Sequence, residues 1–161
     1  MSSQASSATV PVMPELKNFI NGHYVSSSSG TTFDNFDPVT GEVFSVVHEA
    51  SKSDVDAAVM AARAAFNGEW GSLSIEARVN LLHKVADRIN ERFDEFLEAE
   101  CRDTGKPLSL ASHIDIPRGA ANFKVFADII RNVPTESLRM ETPDGTGALN
   151  YGLRLPKGVI A

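Results

Sequence analysis

The sequence predicts an α/β fold, because two kinds of hydrophobic spacing occur in it. Long stretches carry apolar residues at three- and four-residue steps, which is the spacing of one helix face. Shorter stretches alternate apolar and polar positions or flank a tight turn, and this is typical of strands. With 161 residues, of which 42% are apolar, the chain is large enough to bury the core of one ordinary domain.

Composition and charge exclude several classes of protein. A net charge of −6 argues against a nucleic-acid partner, which requires a basic face. No apolar run approaches the roughly 20 residues that span a bilayer, so no membrane segment is expected. The N-terminus also lacks the basic and apolar regions of a secretory signal. The single cysteine, Cys101, leaves no partner for an internal disulfide, so we expect a reducing compartment, the cytoplasm.

The N-terminal part of the chain predicts a tail followed by a hairpin. Residues 1–14 are rich in Ser and Ala and lack apolar periodicity, so a disordered tail is predicted. Asn21 and Gly22 accept the positive φ angles of a type I′ turn, and β-forming residues flank them between Phe19 and Val25.

A second pair of strands is expected further along the chain. Thr31 to Phe36 has an extended pattern, and Val43 to His48 alternates apolar with small or polar residues. The connection 37–42 predicts a turn, because proline fixes φ, Asp37 closes a local hydrogen bond and Gly41 relieves strain.

Two helices with recognisable ends should follow. Ser53 is expected to cap a helix that extends to Phe66. Ser74 is expected to cap one long helix that runs to the stop at 103–107, where Gly105 takes a left-handed conformation. Its apolar stripe consists of Ile75, Val79, Leu82, Ala86, Ile89, Phe93 and Leu97.

A third helix is predicted from Ile116 to Asn132, with Asp115 as its cap and Pro117 tolerated in its first turn. Arg118 would then lie in this first turn, where a cation opposes the helix dipole unless an anion is near. An arginine beside free helix N–H groups would suit a carboxylate. The alternative is a pair with Asp115 or an ordinary surface charge, and the local pattern favours that alternative.

The last part of the chain predicts a polar loop and a strand. Thr135 to Gly147 has a loop-like composition, and Ala148 to Leu155 alternates apolar residues at period two. The apolar run Val159 to Ala161 stops at once, and a buried strand beginning there would leave backbone groups without partners. We therefore expect the sequence to be the front portion of a longer chain.

Few residues suit catalysis. The histidines are scattered without metal-ligand spacing, and no glycine-rich phosphate loop occurs. Cys101 lies among Glu98, Glu100 and Asp103, whose charges disfavour a thiolate, so a structural cysteine is expected. Asp103 itself sits near a helix C-terminus, where a negative charge needs a compensating cation, and Lys106 would suffice.

An ordered set of motifs resembles the N-terminal part of the aldehyde dehydrogenase family. The set is Phe19-Ile20-Asn21-Gly22, Asp37-Pro38-Val39-Thr40-Gly41-Glu42, the alanine-rich helix from Asp54 to Phe66, Trp70, Asp103-Thr104-Gly105-Lys106-Pro107 and Pro156-Lys157-Gly158-Val159. The resemblance implies the N-terminal portion of an aldehyde dehydrogenase-type fold, with long helices, short strands and a projecting oligomerisation strand. The runs Asp94 to Cys101 and Ala111 to Phe123 are similar to the branch that oxidises 2-hydroxymuconic semialdehyde in the meta-cleavage degradation of aromatic compounds.

The resemblance implies oxidation of a small-molecule aldehyde with NAD as hydride acceptor, through a thioester on a cysteine. The family's nucleophilic Cys, general-base Glu and oxyanion-binding Asn would all lie beyond Ala161, and so would its cofactor contacts. No residue here is therefore expected to be catalytic or cofactor-binding, and this chain alone is expected to be inactive. The alternative, from another class, is a non-catalytic helical module for binding or oligomerisation.

Three further expectations follow from the resemblance. Arg118 matches a position at the substrate entrance and is suited to bind the far carboxylate of a dicarboxylic semialdehyde. Asp103, with the backbone around Asn35 and Phe36, resembles a structural site for a monovalent cation. The strand after residue 147 matches a segment that pairs with a neighbouring subunit, so a homo-oligomer, dimer or tetramer, is expected.

The resemblance also divides the chain. Residues 1–14 are the tail, and 15–134 form the N-terminal part of a cofactor-binding domain. Residues 135–156 form the oligomerisation segment, and 157–161 return to the cofactor domain.

Overall fold

The computed structural model describes residues 14–160 and has a mixed helix and strand architecture, which confirms the predicted α/β class. The predicted tail lies outside the described residues, except for Pro14, whose carbonyl accepts a hydrogen bond from the Val46 N–H at 3.0 Å. The described chain forms two compact units, one of residues 14–61 with 102–105, the other of 62–101 with 106–160.

The elements follow one another in a mixed order. The strands are β1 (Glu15–Leu16), β2 (Asn18–Ile20), β3 (His23–Val25), β4 (Thr32–Phe36), β5 (Val43–His48), β6 (Ser137–Met140) and β7 (Ala148–Tyr151). The helices are α1 (Lys52–Asn67), α2 (Glu69–Ser72), α3 (Ile75–Glu91), α4 (Phe93–Thr104), α5 (Leu108–Leu110) and α6 (Ile116–Arg131), with a π turn at Ala111–Asp115 between the last two. None of the helices within residues 14–160 is long and apolar enough to cross a membrane.

The first unit contains a sheet in the order β1-β5-β4. β1 runs parallel to β5, whereas β4 is antiparallel to it. The β2–β3 hairpin turns at Asn21 and Gly22, whose φ angles are 50° and 82°, so the predicted type of turn is confirmed. The turn at 37–42 is confirmed as well, because the Asp37 carboxylate accepts from the N–H groups of Val39 and Thr40.

The start of α1 differs from the prediction by two residues. The hydroxyl of Ser51, not of Ser53, accepts the Asp54 N–H at 3.2 Å, and the Asp54 carboxylate accepts the Ser51 N–H at 2.8 Å. This reciprocal pair is a capping box, with Asp in the place of the usual Glu. Backbone N–H groups of Ser51 and Ser28 bind the same carboxylate and hold the pKa of Asp54 at about 2.

In the second unit, α3 packs against α6 through a stripe of small apolar side chains. The stripe is fully or almost fully buried and consists of Val79, Ala86, Ala120 and Ala127. Ion pairs flank it, among them Arg131 with Glu76 at 2.9 Å and Lys124 with Asp87 at 2.6 Å. The buried side chains that α3 contributes to this stripe therefore determine which face of α6 packs against it.

The predicted long helix is two helices, and the expectation of one was wrong. Arg92 leaves the helical region with φ −107° and ψ 29°, so α3 ends at Glu91 and α4 begins at Phe93. Apolar periodicity does not detect this break, because Ile89, Phe93 and Leu97 keep the same spacing across it. The stop at Gly105 is confirmed, with a φ of 70°.

The segment predicted to be a loop followed by a long strand is instead a hairpin. β6, predicted to be loop, pairs antiparallel with β7, and β7 ends at Tyr151 rather than Leu155. In the connecting loop, the Asp144 carboxylate accepts hydrogen bonds from Thr142 and Thr146, which hold its pKa at about 2. These side-chain bonds close the loop, so the polar composition of 141–147 serves the hairpin.

Candidate functional site

Arg118 lies near the beginning of α6, but the helical path does not begin there. Asp115 has right-handed helical angles, and its side chain forms no capping bond in the described chain. The Ile116 N–H instead donates to the Ala111 carbonyl, five residues back. The predicted cap at Asp115 was therefore wrong, and so was the placement of Arg118 in an open first turn, because the preceding helical turn supplies acceptors.

Proline explains why a π turn precedes α6. Pro117 has no N–H, and in a regular α-helix its ring would collide with the carbonyl four residues earlier, that of His113. A π turn carries one extra residue and moves that carbonyl away. Two side chains also contact the backbone of the preceding turn. Ser112 Oγ donates to the Ser109 carbonyl at 3.3 Å, and His113 Nδ1 lies 2.8 Å from the same carbonyl oxygen.

The buried positions record the same extra residue. Ala111 is fully buried, Ile116 is 9% exposed and Ala120 is 3% exposed, so the steps between them are five and four residues. This five-residue step is visible in the burial and not in the apolar pattern of the sequence, where Ile114 interrupts it. The prediction began the helix at Ile116 and assigned no helix to residues 108–115, so it did not include the π turn.

The Lys106 side chain links α4 to the π turn that precedes α6. Its Nζ donates to Glu100 Oε1 at 2.9 Å and to Asp115 Oδ2 at 3.0 Å. These hydrogen bonds, with Glu100 contributing most, raise the pKa of Lys106 above its usual value. Asp115 therefore pairs with Lys106 and not with Arg118, which corrects the alternative of an Arg118–Asp115 pair. The bonds shown for Lys106 are not to Asp103, so the expectation that Lys106 compensates the charge of Asp103 is corrected as well.

Arg118 is exposed, and its side chain forms no hydrogen bond or ion pair with any residue between 14 and 160. Its position on α6 is 200° around the helix from both Ile116 and Ala120, at about 100° per residue, so it lies opposite the buried face. A guanidinium in this position is available for an anion from outside the described chain.

The three residues of the predicted cation site lie in one unit, and two of them are in contact. Asn35 Nδ2 donates to Asp103 Oδ1 at 2.9 Å. The register of β4 against β5 shifts between Asn35 and Phe36, and such a bulge leaves backbone groups outside the ladder. The Asp103 carboxylate is a hard oxygen ligand of the kind that a cation prefers, whereas the Asn35 side chain presents its amino group to it.

The other titratable residues form no catalytic cluster in the part of the chain that is described. No three His, Cys, Asp or Glu side chains among residues 14–160 are grouped so as to hold a metal ion. Cys101 is half-buried with a free thiol. His83 lies 2.9 Å from Asp128 on the surface of the α3–α6 pair, and Nδ1 of His48 accepts the Ser27 N–H. These contacts are typical of structural roles.

The β6–β7 hairpin exposes several large apolar side chains. Leu138, Met140, Leu149 and Tyr151 are each more than half exposed. Exposed apolar residues on a two-stranded sheet with free edges favour pairing with another strand.

Comparison with known proteins identifies the family. The family model described as "Aldehyde dehydrogenase family" matches residues 24–161. The chain is 64% identical to 2-hydroxymuconic semialdehyde dehydrogenase of Pseudomonas sp. (strain CF600), over 92% of this chain and 30% of that protein. It is 49% identical to 2-aminomuconic 6-semialdehyde dehydrogenase of Pseudomonas sp., with the same coverage of both chains.

A solved structure agrees with these relatives. The NAD+ complex of an aldehyde dehydrogenase from Bacillus cereus has a TM-score of 0.78 and 38% identity, covering 85% of this chain and 27% of that one. The chain thus spans less than a third of the length of the relatives that it matches. Because the family match extends over most of the sequence and the structure has the same fold, the chain belongs to the aldehyde dehydrogenase family.

Proposed function

We propose that these residues form the N-terminal portion of an NAD-dependent aldehyde dehydrogenase that oxidises a dicarboxylic semialdehyde such as 2-hydroxymuconic semialdehyde to the acid. In the cell, this reaction would belong to the degradation of aromatic compounds through the meta-cleavage pathway. The observation that carries the proposal is Arg118, an exposed guanidinium without a partner in the described chain, together with the similarity to semialdehyde dehydrogenases.

Arg118 would act on the substrate by binding and orientation. The substrate has a carboxylate at one end and an aldehyde at the other, and a guanidinium binds a carboxylate through two parallel hydrogen bonds. Such a bidentate contact fixes direction as well as distance, so it would hold the aldehyde end toward the reacting residues of the complete enzyme. Neutral aldehydes of the same length would lack this contact.

NAD would accept the hydride in the complete enzyme. Within residues 14–160, β5 is followed by Glu49, Ala50 and Ser51 before α1 begins, and no glycine-rich turn joins a parallel strand to a helix N-terminus there. That turn is the usual binding site for a dinucleotide pyrophosphate. We therefore assign no residue of the described chain to the cofactor, nor any to the catalytic steps.

A monovalent cation beside Asp103 forms a second part of the proposal. Its ligands would be the Asp103 carboxylate and backbone oxygens at Asn35 and Phe36, and the cation would balance a negative charge near the C-terminus of α4. Its role would be structural. Thermal unfolding in potassium chloride against tetramethylammonium chloride at equal ionic strength tests this, and a cation effect that persists in Asp103→Asn would contradict it.

We further propose that the enzyme is a homo-oligomer, a dimer or tetramer, in which segment 135–156 contributes strand pairing across subunits. The exposed apolar residues of β6 and β7 support this. A cytoplasmic location is proposed because the sequence has a single cysteine and so no internal disulfide.

The function is tested with the protein expressed from its complete reading frame. We expect NADH formation with 2-hydroxymuconic semialdehyde at a higher kcat/KM than with a neutral aldehyde of similar length. Arg118→Leu should lower kcat/KM for the acidic substrate by about 10- to 100-fold, since a hydrogen bond to a charged group contributes about 1.5–3 kcal/mol.

Two variants serve as controls for this experiment. Arg118→Lys keeps the charge and should retain part of the preference for the acid. Arg63→Leu removes another exposed arginine, on α1, and should leave the preference intact. An enzyme with an equal preference for neutral and acidic aldehydes before and after Arg118→Leu would contradict the proposal and indicate an aldehyde dehydrogenase of different substrate range.

A further inference from the structure

A second polar residue lies one helical turn from Arg118 on the same face of α6. Asn122 follows it by four residues, so their Cα atoms are about 6 Å apart along the helix axis. Asn122 is exposed, and its side chain forms no hydrogen bond with any residue from 14 to 160. Like Arg118, it lies 200° from Ala120, at about 100° per residue, and so faces away from the buried stripe.

The rest of this helix face is apolar. Phe126 is 66% exposed and Ile129 is 52% exposed, and both continue the row of Arg118 and Asn122 toward the C-terminus of α6. Val125, beside this row, is 52% exposed. Apart from Arg118, the neighbouring side chains on this face are apolar and offer the Asn122 amide no hydrogen bond. A ligand that covers this face must therefore bond to the amide or leave it unpaired.

The two side chains together match a ligand with two adjacent polar groups. Helical side chains lean toward the N-terminus, so the Asn122 amide approaches the turn from which Arg118 extends. The guanidinium is a donor only, whereas the amide has both a donor and an acceptor. An arginine thus selects the carboxylate, and an amide selects a neighbouring hydroxyl or amino group, which also both donates and accepts.

We propose that Asn122 is a specificity-determining residue that hydrogen-bonds the hydroxyl or amino group on the carbon next to the substrate's far carboxylate. The inference rests on the proposed function, because it takes Arg118 as the carboxylate contact. The hydrogen bond from Asn122 would distinguish semialdehyde acids that carry this hydroxyl or amino group from those that have only the carboxylate. The names of the relatives, a 2-hydroxy- and a 2-aminomuconic semialdehyde dehydrogenase, describe substrates with such a substituent.

The test compares two substrates in the complete enzyme, 2-hydroxymuconic semialdehyde and the analogue that lacks the hydroxyl group. The measured quantity is the ratio of their kcat/KM values. We expect Asn122→Leu, which replaces the amide with an apolar side chain of similar size, to lower this ratio about three- to tenfold, as for the loss of one hydrogen bond. Asn122→Gln keeps the amide and should restore part of the ratio.

Controls separate this inference from general effects on the protein. Asn80→Leu removes an exposed asparagine from α3 and should not change the ratio. If Asn122→Leu does not yield folded protein, Asn122→Ala gives the same comparison with truncation only. A ratio that is the same in wild type and in the Asn122 variants would overturn the proposal.

The failure of this inference is distinguishable from failure of the proposed function. Arg118→Leu should weaken both substrates, because both have the carboxylate, and should change their ratio less than Asn122→Leu does. If Arg118→Leu affects neither substrate, the carboxylate contact is wrong and the inference falls with it. If Arg118→Leu weakens both and Asn122→Leu leaves their ratio unchanged, only the role of Asn122 is wrong.

Discussion

The helices α3 and α6 pack on each other but begin in different ways. α3 is preceded by its N-cap Ser74, whose hydroxyl accepts the Ala77 N–H at 3.1 Å, and the two residues that separate it from α2, Leu73 and Ser74, are extended, with ψ angles of 142° and 159°. α6 continues from a π turn, and the Asp115 that precedes it bonds Lys106 instead of capping. The difference shows that a capping residue marks a helix start only where the preceding backbone has left the helical path.

The largest loss of stability is expected for a substitution just before α3, where two parts of the backbone are in close contact. A Cβ on Gly71 would lie 1.7 Å from the Phe66 carbonyl oxygen, so the backbone must shift. Gly71→Ala should lower the free energy of unfolding by about 3 kcal/mol, as overpacking does. Urea unfolding of the purified protein measures this, with Gly152→Ala as control because open space surrounds that glycine. Equal midpoints for the two variants would contradict the close packing.

A smaller effect is expected from the cap itself. Ser74→Ala removes the hydroxyl that accepts the Ala77 N–H and should destabilise the protein by about 1 kcal/mol. Ser109→Ala removes a serine from α5, where no side-chain cap bond forms in the described chain, and should have little effect. Equal losses of stability for the two serine variants in thermal unfolding would contradict the role of the Ser74 cap.

A substitution at Gly119, in the first turns of α6, should raise the stability rather than lower it. A Cβ there meets no atom within 4 Å, and the residue is helical. Gly119→Ala should therefore stabilise the protein by about 0.5–1 kcal/mol, because alanine restricts the unfolded chain and favours helix. A lower melting temperature for this variant would mean that α6 is not a regular helix at this point.

The pH dependence of stability should also differ between two helix starts. The Asp54 pKa is lowered from 3.8 to about 2 by N–H groups at the start of α1, so its contribution is present above pH 4 and is lost as pH falls from about 4 to 2. The Lys106 pKa is raised above 10.5, so the anchor of the π turn is present at neutral pH and is lost only as pH rises beyond that value.

Variants connect each pH range to its residue. Asp54→Asn should remove part of the loss of stability in acid, and Lys106→Met part of the loss in alkali. Thermal unfolding across the pH range records both. An acid transition that is unchanged in Asp54→Asn would exclude the capping box as its source.

Much of the fold was predictable from local chemistry. The turn at Asn21 and Gly22, the strand Val43–His48, the Ser74 cap and the Gly105 stop each depend on a few neighbouring residues. The break at Arg92 and strand β6 were not predictable in this way. β6 depends on its pairing with β7, which a local pattern does not contain, and the apolar spacing continues unchanged across Arg92.

For the site, the sequence indicated candidate residues but not their surroundings. Arg118 was a candidate from the helix dipole and from the family resemblance, but the argument from the helix dipole failed because the π turn precedes α6. The resemblance placed Asp103 near the backbone of Asn35 and Phe36 but did not predict the bond from the Asn35 side chain to Asp103, and the bonds from Lys106 to Glu100 and Asp115 were missed as well. Asn122 was not a candidate, because an exposed polar residue becomes one only when its neighbours on the helix face are known.

One measurement tests the central claim, that α6 presents Arg118 to the carboxylate of a substrate. Binding of hexanoate and hexanamide, which have the same length and differ in whether one end is a carboxylate, is measured by calorimetry with the complete enzyme and with Arg118→Leu. We expect the wild-type protein to bind hexanoate at least about tenfold more tightly than hexanamide, and the variant to lose that difference. An equal preference for hexanoate in both proteins would contradict the account.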